Sequence, residues 1–418
     1  MKTHELPAGS SHVLVGPAQF RVKAGFVEVV ATRIGAQETL EVPLGKRIPL
    51  HAGTDTTIEL ACDDGAFAPS EQSALPAEWD ALADTIARTH AAGTLTRIVV
   101  LGEVDTGKTF FSTYLGNRLL GKGCRTAILD CDTGQSDIGP PGTFGMLVLE
   151  RPTVFFADLP PTHLFLLGAH SPGLHFLPAM VGLHKMLEQA ERAVDFLIVD
   201  TTGWVQGDGG RAIKRAKLDL IDPQYIVLLQ RGNELEHLVR HVPAGRLVRL
   251  PVSKKTIPTH QMERKVLRER ASTRYFASAR TIELPFAQVA TDRVFLLTGF
   301  PLRLEGTLHA ERLSGWEGTL VVTPGPMLPE NRTTWPQDLG MIRQVVAGQE
   351  VGLMVALLDQ RGNTLAIGRL ERIDYAHQRF LVRTPWAGDT ATITCVQFGS
   401  LRLNEKGEED GFIEPGTL

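Results

Sequence analysis

Cysteine is scarce in this 418-residue chain: Cys62, Cys124, Cys131 and Cys395 are all there are, with no C-x-x-C pair and no metal-ligand spacing. That excludes a disulfide-stapled secreted scaffold and a thiolate-held structural zinc, and it fits reduced, buried thiols in the cytoplasm. Neither sign of charge dominates. With 43 basic and 47 acidic residues the formal net charge is -4, so the chain does not coat nucleic acid with its whole surface. Any such contact has to come from a local basic patch. No apolar run approaches the roughly 20 residues of a membrane span. The opening Met1-Lys-Thr-His-Glu-Leu-Pro-Ala8 lacks the apolar core of a signal peptide. Repeats and low-complexity segments are missing too. What remains, 43% apolar and 22% charged, is an ordinary globular composition, long enough for two or three domains with buried cores.

Against that background one stretch organises the chain, Leu101-Gly102-Glu103-Val104-Asp105-Thr106-Gly107-Lys108-Thr109-Phe110. It follows a β-like run, Arg97–Leu101, and leads into a helical pattern to Leu120. The spacing Gly102-x4-Gly107-Lys108-Thr109 fits a phosphate-binding loop between strand and helix. The two glycines let the backbone turn so that successive N–H groups face phosphate oxygens. The helix start adds its positive dipole end. Lys108 supplies a mobile charge for the outer phosphates, and the Thr109 hydroxyl is a ligand for Mg²⁺. Residues 102–110 are therefore the expected nucleotide cradle.

Residues 10–70 alternate short β-rich runs (12–15, 26–30, 39–42, 57–60) with turn residues, which predicts a small β-rich N-terminal domain over 1–75. A helical pattern through Trp79, Leu82 and Ile86 follows. From 95 to 252 β and α alternate, the signature of an α/β core with a mostly parallel sheet. Strands are expected at 96–101, 126–131, 144–149, 163–168, 195–200, 225–230 and 246–250. Helices are expected at 108–121, 177–193, 209–221 and 233–241. Ligands in such sheets sit beyond the carboxyl ends of the strands. The α/β core is bounded at 76–284, with a basic segment over 254–280. Residues 285–418 form a second β-rich domain with a Pro/Gly-rich linker near 324–340.

Four polar constellations fall at strand ends or beside them. Asp130 and Asp132, at i and i+2, are placed to face the phosphate loop. Asp132 is the candidate base for an attacking hydroxyl and, with Thr109 and Asp130, a candidate Mg²⁺ ligand; the alternative for both aspartates is a polar turn capped by Asp and Gly. Asp200 ends the apolar strand 195–200, like the second acidic strand of nucleotide hydrolases. Trp204 beyond it is either core or a platform for a nucleobase. The loop His170-Ser171-Pro172-Gly173-Leu174-His175 touches an incoming chain or is a plain turn. The basic segment contains Lys254, Lys255, Arg264, Lys265, Arg268, Arg270, Arg274 and Arg280. It reads as a solvated cationic helix or as a lid whose arginine closes on the γ-phosphate, with Arg264, Arg268 and Arg270 or Arg274 in reach of one face.

Taken in order, these motifs resemble the polynucleotide 5′-hydroxyl kinase family, which includes kinases of mRNA 3′-end formation, tRNA splicing and ribosomal-RNA processing. The resemblance spans about 95–280. It rests on the loop at 102–109, the Asp130-x-Asp132-x-Gly134-Gln135 element followed by Pro141-Gly142-Thr143, Ser171-Pro172-Gly173, Thr202-Gly203-Trp204, and the basic segment ending in Arg274-Tyr275-Phe276. It implies a P-loop NTPase core flanked by N-terminal and C-terminal β-rich domains. It also implies ATP and Mg²⁺ at Lys108 and Thr109, Asp132 as the catalytic carboxylate, and Gln135 close to the substrate end. His170, Ser171, Pro172 and Trp204 then hold the terminal nucleotide. One of Arg264, Arg268, Arg270 and Arg274 is catalytic, and the lid cannot be aligned without a gap, so the sequence leaves open which. The expected reaction is transfer of the γ-phosphoryl group of ATP to 5′-OH ends of RNA or DNA, with protein partners unspecified. An ATP-holding assembly protein without turnover is the alternative. A guanine-reading switch is disfavoured, since no Asn-Lys-x-Asp or Thr-Lys-x-Asp tetrapeptide follows the later strands.

Overall fold

A computed structural model describes the chain except for residues 71–74, 253–260, 316 and 327–333, and the side chain of Gln261. Lys254, Lys255 and the first residues of the expected lid lie outside the described residues. The chain divides into two compact units. The first comprises Met1–Asp132, Met146–Thr162 and Met186–Leu267; the second comprises Thr133–Gly145, His163–Lys185 and Arg268–Leu418.

In the first unit the N-terminal strands make two sheets. One has the order Lys2–Leu6, Thr56–Cys62, Ala18–Ala24, Thr39–Val42. The other runs Thr32–Gly35, Phe26–Val29, Arg47–Ala52, Ser11–Val15, Phe67–Ser70. Their alternation buries Leu14, Phe20, Val22, Val27, Ile48, Leu50 and Ile58, as half-buried antiparallel strands require.

The central strands, numbered here in chain order, are β1 (Thr96–Gly102), β2 (Thr126–Asp130), β3 (Thr143–Val148), β4 (His163–Leu166), β5 (Phe196–Asp200), β6 (Tyr225–Gln230) and β7 (Leu247–Pro251). All seven expected strands are present. In the first unit β2-β5-β1-β6-β7 lie side by side and parallel, and the near-continuous apolar runs of β2, β5, β1 and β6 are buried, whereas β7 is mostly half-buried or exposed. Strand order reverses around β1, which puts the loop after it where ligands of such sheets bind.

The helices are α1 (Ala77–Thr89), α2 (Lys108–Gly121), α3 (Phe176–Ala193), α4 (Gly207–Ile221), α5 (Glu236–Val239) and α6 (Gln261–Tyr275). The helix expected at 233–241 is shortened to α5. Glu234 accepts hydrogen bonds from the backbone N–H groups of Arg231 (2.6 Å) and Gly232 (2.8 Å), which holds the approach in a turn, and Pro243 follows the end. α1 buries Trp79, Leu82, Ala83 and Ile86. The Trp79 ring packs edge-on to Phe111 at 4.9 Å, and the Tyr114 hydroxyl donates to Asp80 at 2.5 Å.

The second unit holds a sheet ordered Arg280–Pro285, Arg379–Thr384, Thr364–Asp374, Leu353–Leu358, Cys395–Leu403, Ala290–Asp292. A smaller sheet runs Phe300–Leu302, His309–Arg312, Gly318–Thr323, Met341–Val346. Gly318–Thr323 and Met341–Val346 are parallel neighbours, so the chain on either side of 324–340 belongs to one sheet; residues 327–333 of the expected linker lie outside the described residues. Parallel neighbours need a dozen or more connecting residues. Leu284, Leu320, Val355, Leu370, Phe380, Val382 and Val396 belong to the apolar core of this unit.

The four thiols are all free, but only Cys131 is fully buried; burial pushes that thiol up to about 11. Among the described residues no helix is long and apolar enough to cross a membrane.

Candidate active site

The loop between β1 and α2 has the backbone that its glycines predict. Gly107 adopts the left-handed conformation (φ 85°) immediately before α2, and Asp105 does so as well (φ 56°). A Cβ on Gly102 would stand 2.3 Å from Thr106 Oγ1, so the first glycine is required by close approach. Thr106 Oγ1 donates to Glu103 O at 2.9 Å, and Lys108 Nζ donates to the same carbonyl at 2.7 Å. Lys108 is buried, so its ammonium already lies within the loop. On the flank, Gln206 donates to Glu103 Oε1 (2.9 Å), Arg231 to Asp105 O (3.2 Å) and Arg264 to Asp105 Oδ2 (2.7 Å). Phe110 packs 6.0 Å from the Trp79 ring.

Beneath the loop two acids meet. Asp130 and Asp200 end the adjacent parallel strands β2 and β5 and are register partners; both are buried. Thr109 Oγ1 donates to Asp200 Oδ2 at 2.6 Å. Asp130 Oδ1 accepts the backbone N–H of Asp132 at 2.8 Å. The strand has therefore ended at Asp130, and Asp132 sits in the turn beyond it. The expectation that two carboxylates at i and i+2 share one strand face is corrected to a turn in which Asp130 braces Asp132. Among the described residues no cluster of three or more His, Cys, Asp or Glu is arranged to hold a metal.

Sequence reasoning did not single out two residues that belong here. α4 turns Gly210, Ile213, Lys214, Lys217, Leu218 and Ile221 inward, so two lysines share its apolar stripe. Lys214 is fully buried and Lys217 almost so. Lys214 Nζ donates to Thr202 O and, at 3.0 Å, to Thr202 Oγ1. Burial above all, then the neighbouring charges of Lys217 and Lys108, hold the Lys214 ammonium well below the usual lysine range; Asp132 opposes this. The signal was in the spacing: 210, 213, 214, 217, 218, 221 is a 3.6-residue period. Trp204, half-buried, lies over α4, where a Cβ on Gly210 would be 3.2 Å from its ring.

The remaining expected residues lie in the second unit. Thr133 Oγ1 donates to His170 O at 3.1 Å, and Leu167 and Gly168 N–H groups donate to Gly142 O at 2.9 and 2.8 Å, so the 133–142 and 167–171 loops are laced together. Ser400 and Leu401 N–H groups donate to Gly168 O at 2.9 Å, which mounts both loops on the C-terminal sheet. Gln135 is half-buried, Pro172 is buried, and Ser171 is exposed and caps a short turn by accepting Gly173 N–H at 3.3 Å. His175 is buried, its Nε2 3.4 Å from Ser400 Oγ; burial first, then Arg293, lowers its pKa.

The basic helix splits its arginines. Arg264 belongs to the first unit and pairs with Asp105. Arg268 belongs to the second and pairs with Glu409, whose other neighbour is His170 Nε2 at 3.2 Å. Burial would raise the Glu409 carboxyl, but His170 and Arg268 outweigh it and hold it at about 2. Arg270 and Arg274 are exposed on a different helix face, which corrects the expectation of one shared face: six residues carry the helix some 120° away from the first pair. Tyr275 anchors the helix end, accepting Ile367 N–H at 2.9 Å.

A glycine-bounded loop at a strand end, a lysine inside it, and a hydroxyl bound to an acid beneath it define a P-loop nucleotide-binding protein. Residues 102–278 match the family described as the mRNA cleavage and polyadenylation factor CLP1 P-loop. The polyribonucleotide 5′-hydroxyl-kinase of Pyrococcus horikoshii is 30% identical over 330 residues, 77% of this chain and 90% of that protein. The Thermococcus kodakarensis protein of the same name is 30% identical over 329 residues, covering 77% and 92%. A solved structure of Clp1p in complex with Pcf11p superposes with a TM-score of 0.68 over 96% of this chain and 98% of that one, at 13% identity. That likeness fixes the fold: a P-loop core with β-rich sheets on its N- and C-terminal sides. The chain belongs to the Clp1 family of polyribonucleotide 5′-hydroxyl kinases.

Proposed function

We propose that this chain transfers the γ-phosphoryl group of ATP to the 5′-hydroxyl of a polyribonucleotide. The observation that carries the reading is the cradle at 102–109, with the Lys108 ammonium inside it and the Thr109 hydroxyl held by Asp200. Phosphoryl transfer asks a protein chiefly for positioning and for charge stabilisation. Loop N–H groups and the start of α2 receive the phosphates, and Lys108 exchanges the Glu103 carbonyl for a phosphate oxygen.

Thr109 and Asp200, supported by Asp130 and Asp132, suit Mg²⁺. The carboxylates alone do not complete a cage, and Mg²⁺ ordinarily takes one or two carboxylates together with substrate phosphates. When bound, the ion supplies charge neutralisation across the outer phosphates. Asp132, braced by Asp130, accepts the proton of the attacking hydroxyl. Arg264 is the preferred arginine for the phosphates, because its guanidinium already rests on Asp105 of the loop. Trp204 offers a half-exposed ring for stacking the terminal base. Within the second unit, Gln135, His170, Ser171 and Pro172 are the candidates for contacting the strand and the exposed Arg270 and Arg274 for its phosphates, and Arg268 supports His170 through Glu409.

The test is label transfer from γ-labelled ATP to 5′-OH oligonucleotides, with ribose and deoxyribose ends side by side. Transfer to ribose ends that Lys108→Ala and Asp132→Asn both abolish is the expected result. Full activity in either variant, with the fold intact, overturns the mechanism.

A further inference from the structure

A fully buried ammonium on the apolar stripe of α4 calls for an explanation that stability does not give. Taking such a charge out of water is costly, and an apolar isostere at such a site is often neutral or stabilising. We infer that Lys214 is a positioning residue for phosphoryl transfer: it pins the Thr202–Gly203 turn against the phosphate loop. The inference rests on the kinase reading above.

Three observations support it, all within the first unit. Lys214 spends two of its three donors on Thr202, at the carbonyl and the hydroxyl. The turn it holds is tied on its other side, since Thr201 Oγ1 donates to Val100 O of β1 at 2.8 Å. The same turn abuts the loop so closely that a Cβ on Gly203 would stand 2.6 Å from Val104 N. Asp200, which holds the Thr109 hydroxyl, and Trp204 lie at the two ends of this turn. A slack turn would therefore misplace both the β5 acid and the stacking ring.

The experiment is steady-state transfer to a 5′-OH oligoribonucleotide by the full chain, comparing wild type with Lys214→Met and Lys214→Gln. Thermal stability and equilibrium ATP binding are measured on the same samples. Met keeps the volume and loses both charge and hydrogen bonds; Gln can still donate to Thr202. For Lys214→Met the expected result is a kcat lower by about 30-fold or more and a raised KM for the strand. Its stability is equal or higher, and its ATP affinity stays within about threefold. Lys214→Gln, which keeps a donor to Thr202, is expected to recover part of both kcat and the strand KM. Kinetics within about threefold of wild type in Lys214→Met overturn the inference. So does a kcat loss matched in both variants by lost stability and lost ATP binding, which would mark a structural lysine. A wild-type chain that transfers no phosphate overturns the kinase reading instead.

Discussion

Gly203→Ala tests how tightly the strand-end turn and the phosphate loop are fitted. A methyl there would stand 2.5 Å from Val104 Cγ2, 2.6 Å from Val104 N and 2.7 Å from Val104 Cα. Ordinary contact begins at 3.4 Å, so the shortfall against the Val104 nitrogen is about 0.8 Å. Two of the three atoms are backbone, and no rotamer change relieves them. Either the loop or the turn must yield by most of that distance. Displacements near 1 Å in a positioned site cost on the order of 100-fold in rate, or about 2.7 kcal/mol of barrier. The expected outcome is a kcat/KM for ATP reduced by about 30- to 100-fold with near-native circular dichroism. Gly123→Ala is the control. Gly123 lies just past α2 with φ 79° and nothing within 4 Å of its would-be Cβ. That variant costs about 1–2 kcal/mol of stability through backbone strain and leaves the kinetics alone. A Gly203→Ala enzyme with wild-type kcat/KM, or an equal loss in Gly123→Ala, would refute the reasoning.

Three further outcomes are expected. Asn117, in the middle of α2, donates to Val30 O and Thr153 O at 2.7 Å each and accepts Thr153 N–H at 3.1 Å. Asn117→Ala removes that shared partner and is expected to cost about 2–4 kcal/mol in denaturant unfolding; Asn117→Asp, which sets an anion against two carbonyls, costs at least as much. Glu409, lowered from 4.5 to about 2 despite burial by its bonds to His170 and Arg268, stabilises the folded chain fully above pH 4.5 and loses that contribution as pH falls toward 2. Glu409→Gln is accordingly less stable than wild type at pH 6, and melting temperature against pH shows a smaller drop for it across that window. Arg270→Ala and Arg274→Ala, both at exposed positions, should each weaken RNA binding and reduce the salt slope of log K by about one while sparing ATP affinity; an unchanged slope would remove them from the strand path.

The sequence made the central sheet legible because each strand is an apolar run closed by a polar turn, and buried parallel strands leave little room for anything else. The N-terminal module was only half readable. Ala18–Ala24 and Arg47–Ala52 are full strands, yet the first alternates with Gln, Arg and Lys, and the second contains Pro49, which reads locally as a breaker. Tertiary pairing overrides both signals: Phe20 and Val22 pair with Leu60 and Ile58 on the neighbouring strand, and Pro49 takes its place opposite Val13. Among the site residues, the loop announced itself because its glycines are demanded by backbone geometry, and geometry of that kind leaves a fixed spacing in the chain. The pairing of Asp130 with Asp200 could not be read in the same way, since it depends on which strand lies beside which.

The buried lysines show a different limit. Their positions on α4 were visible as a period, but a lysine within an apolar stripe ordinarily extends its stem and puts its charge in water. Only the surroundings decide that Lys214 cannot do so. The stretch from β5 into α4 supplies an acceptor pair at Thr202 for its amine. The β2 turn and the buried lysine of the same core are thus separated by 84 residues of sequence, from Asp130 to Lys214. The phosphate loop also has a second restraint: α2, which begins at Lys108, is gripped at Asn117 by the N-terminal module through Val30 and by the 146–162 segment through Thr153. A helix fixed at its middle and packed on the sheet at Gly116, where a Cβ would meet Ile128 and Leu149 at 3.0 and 2.9 Å, cannot slide to adjust its first turn. The N-terminal β-sheets therefore share in setting where the cradle stands, and their strands carry none of the chemistry.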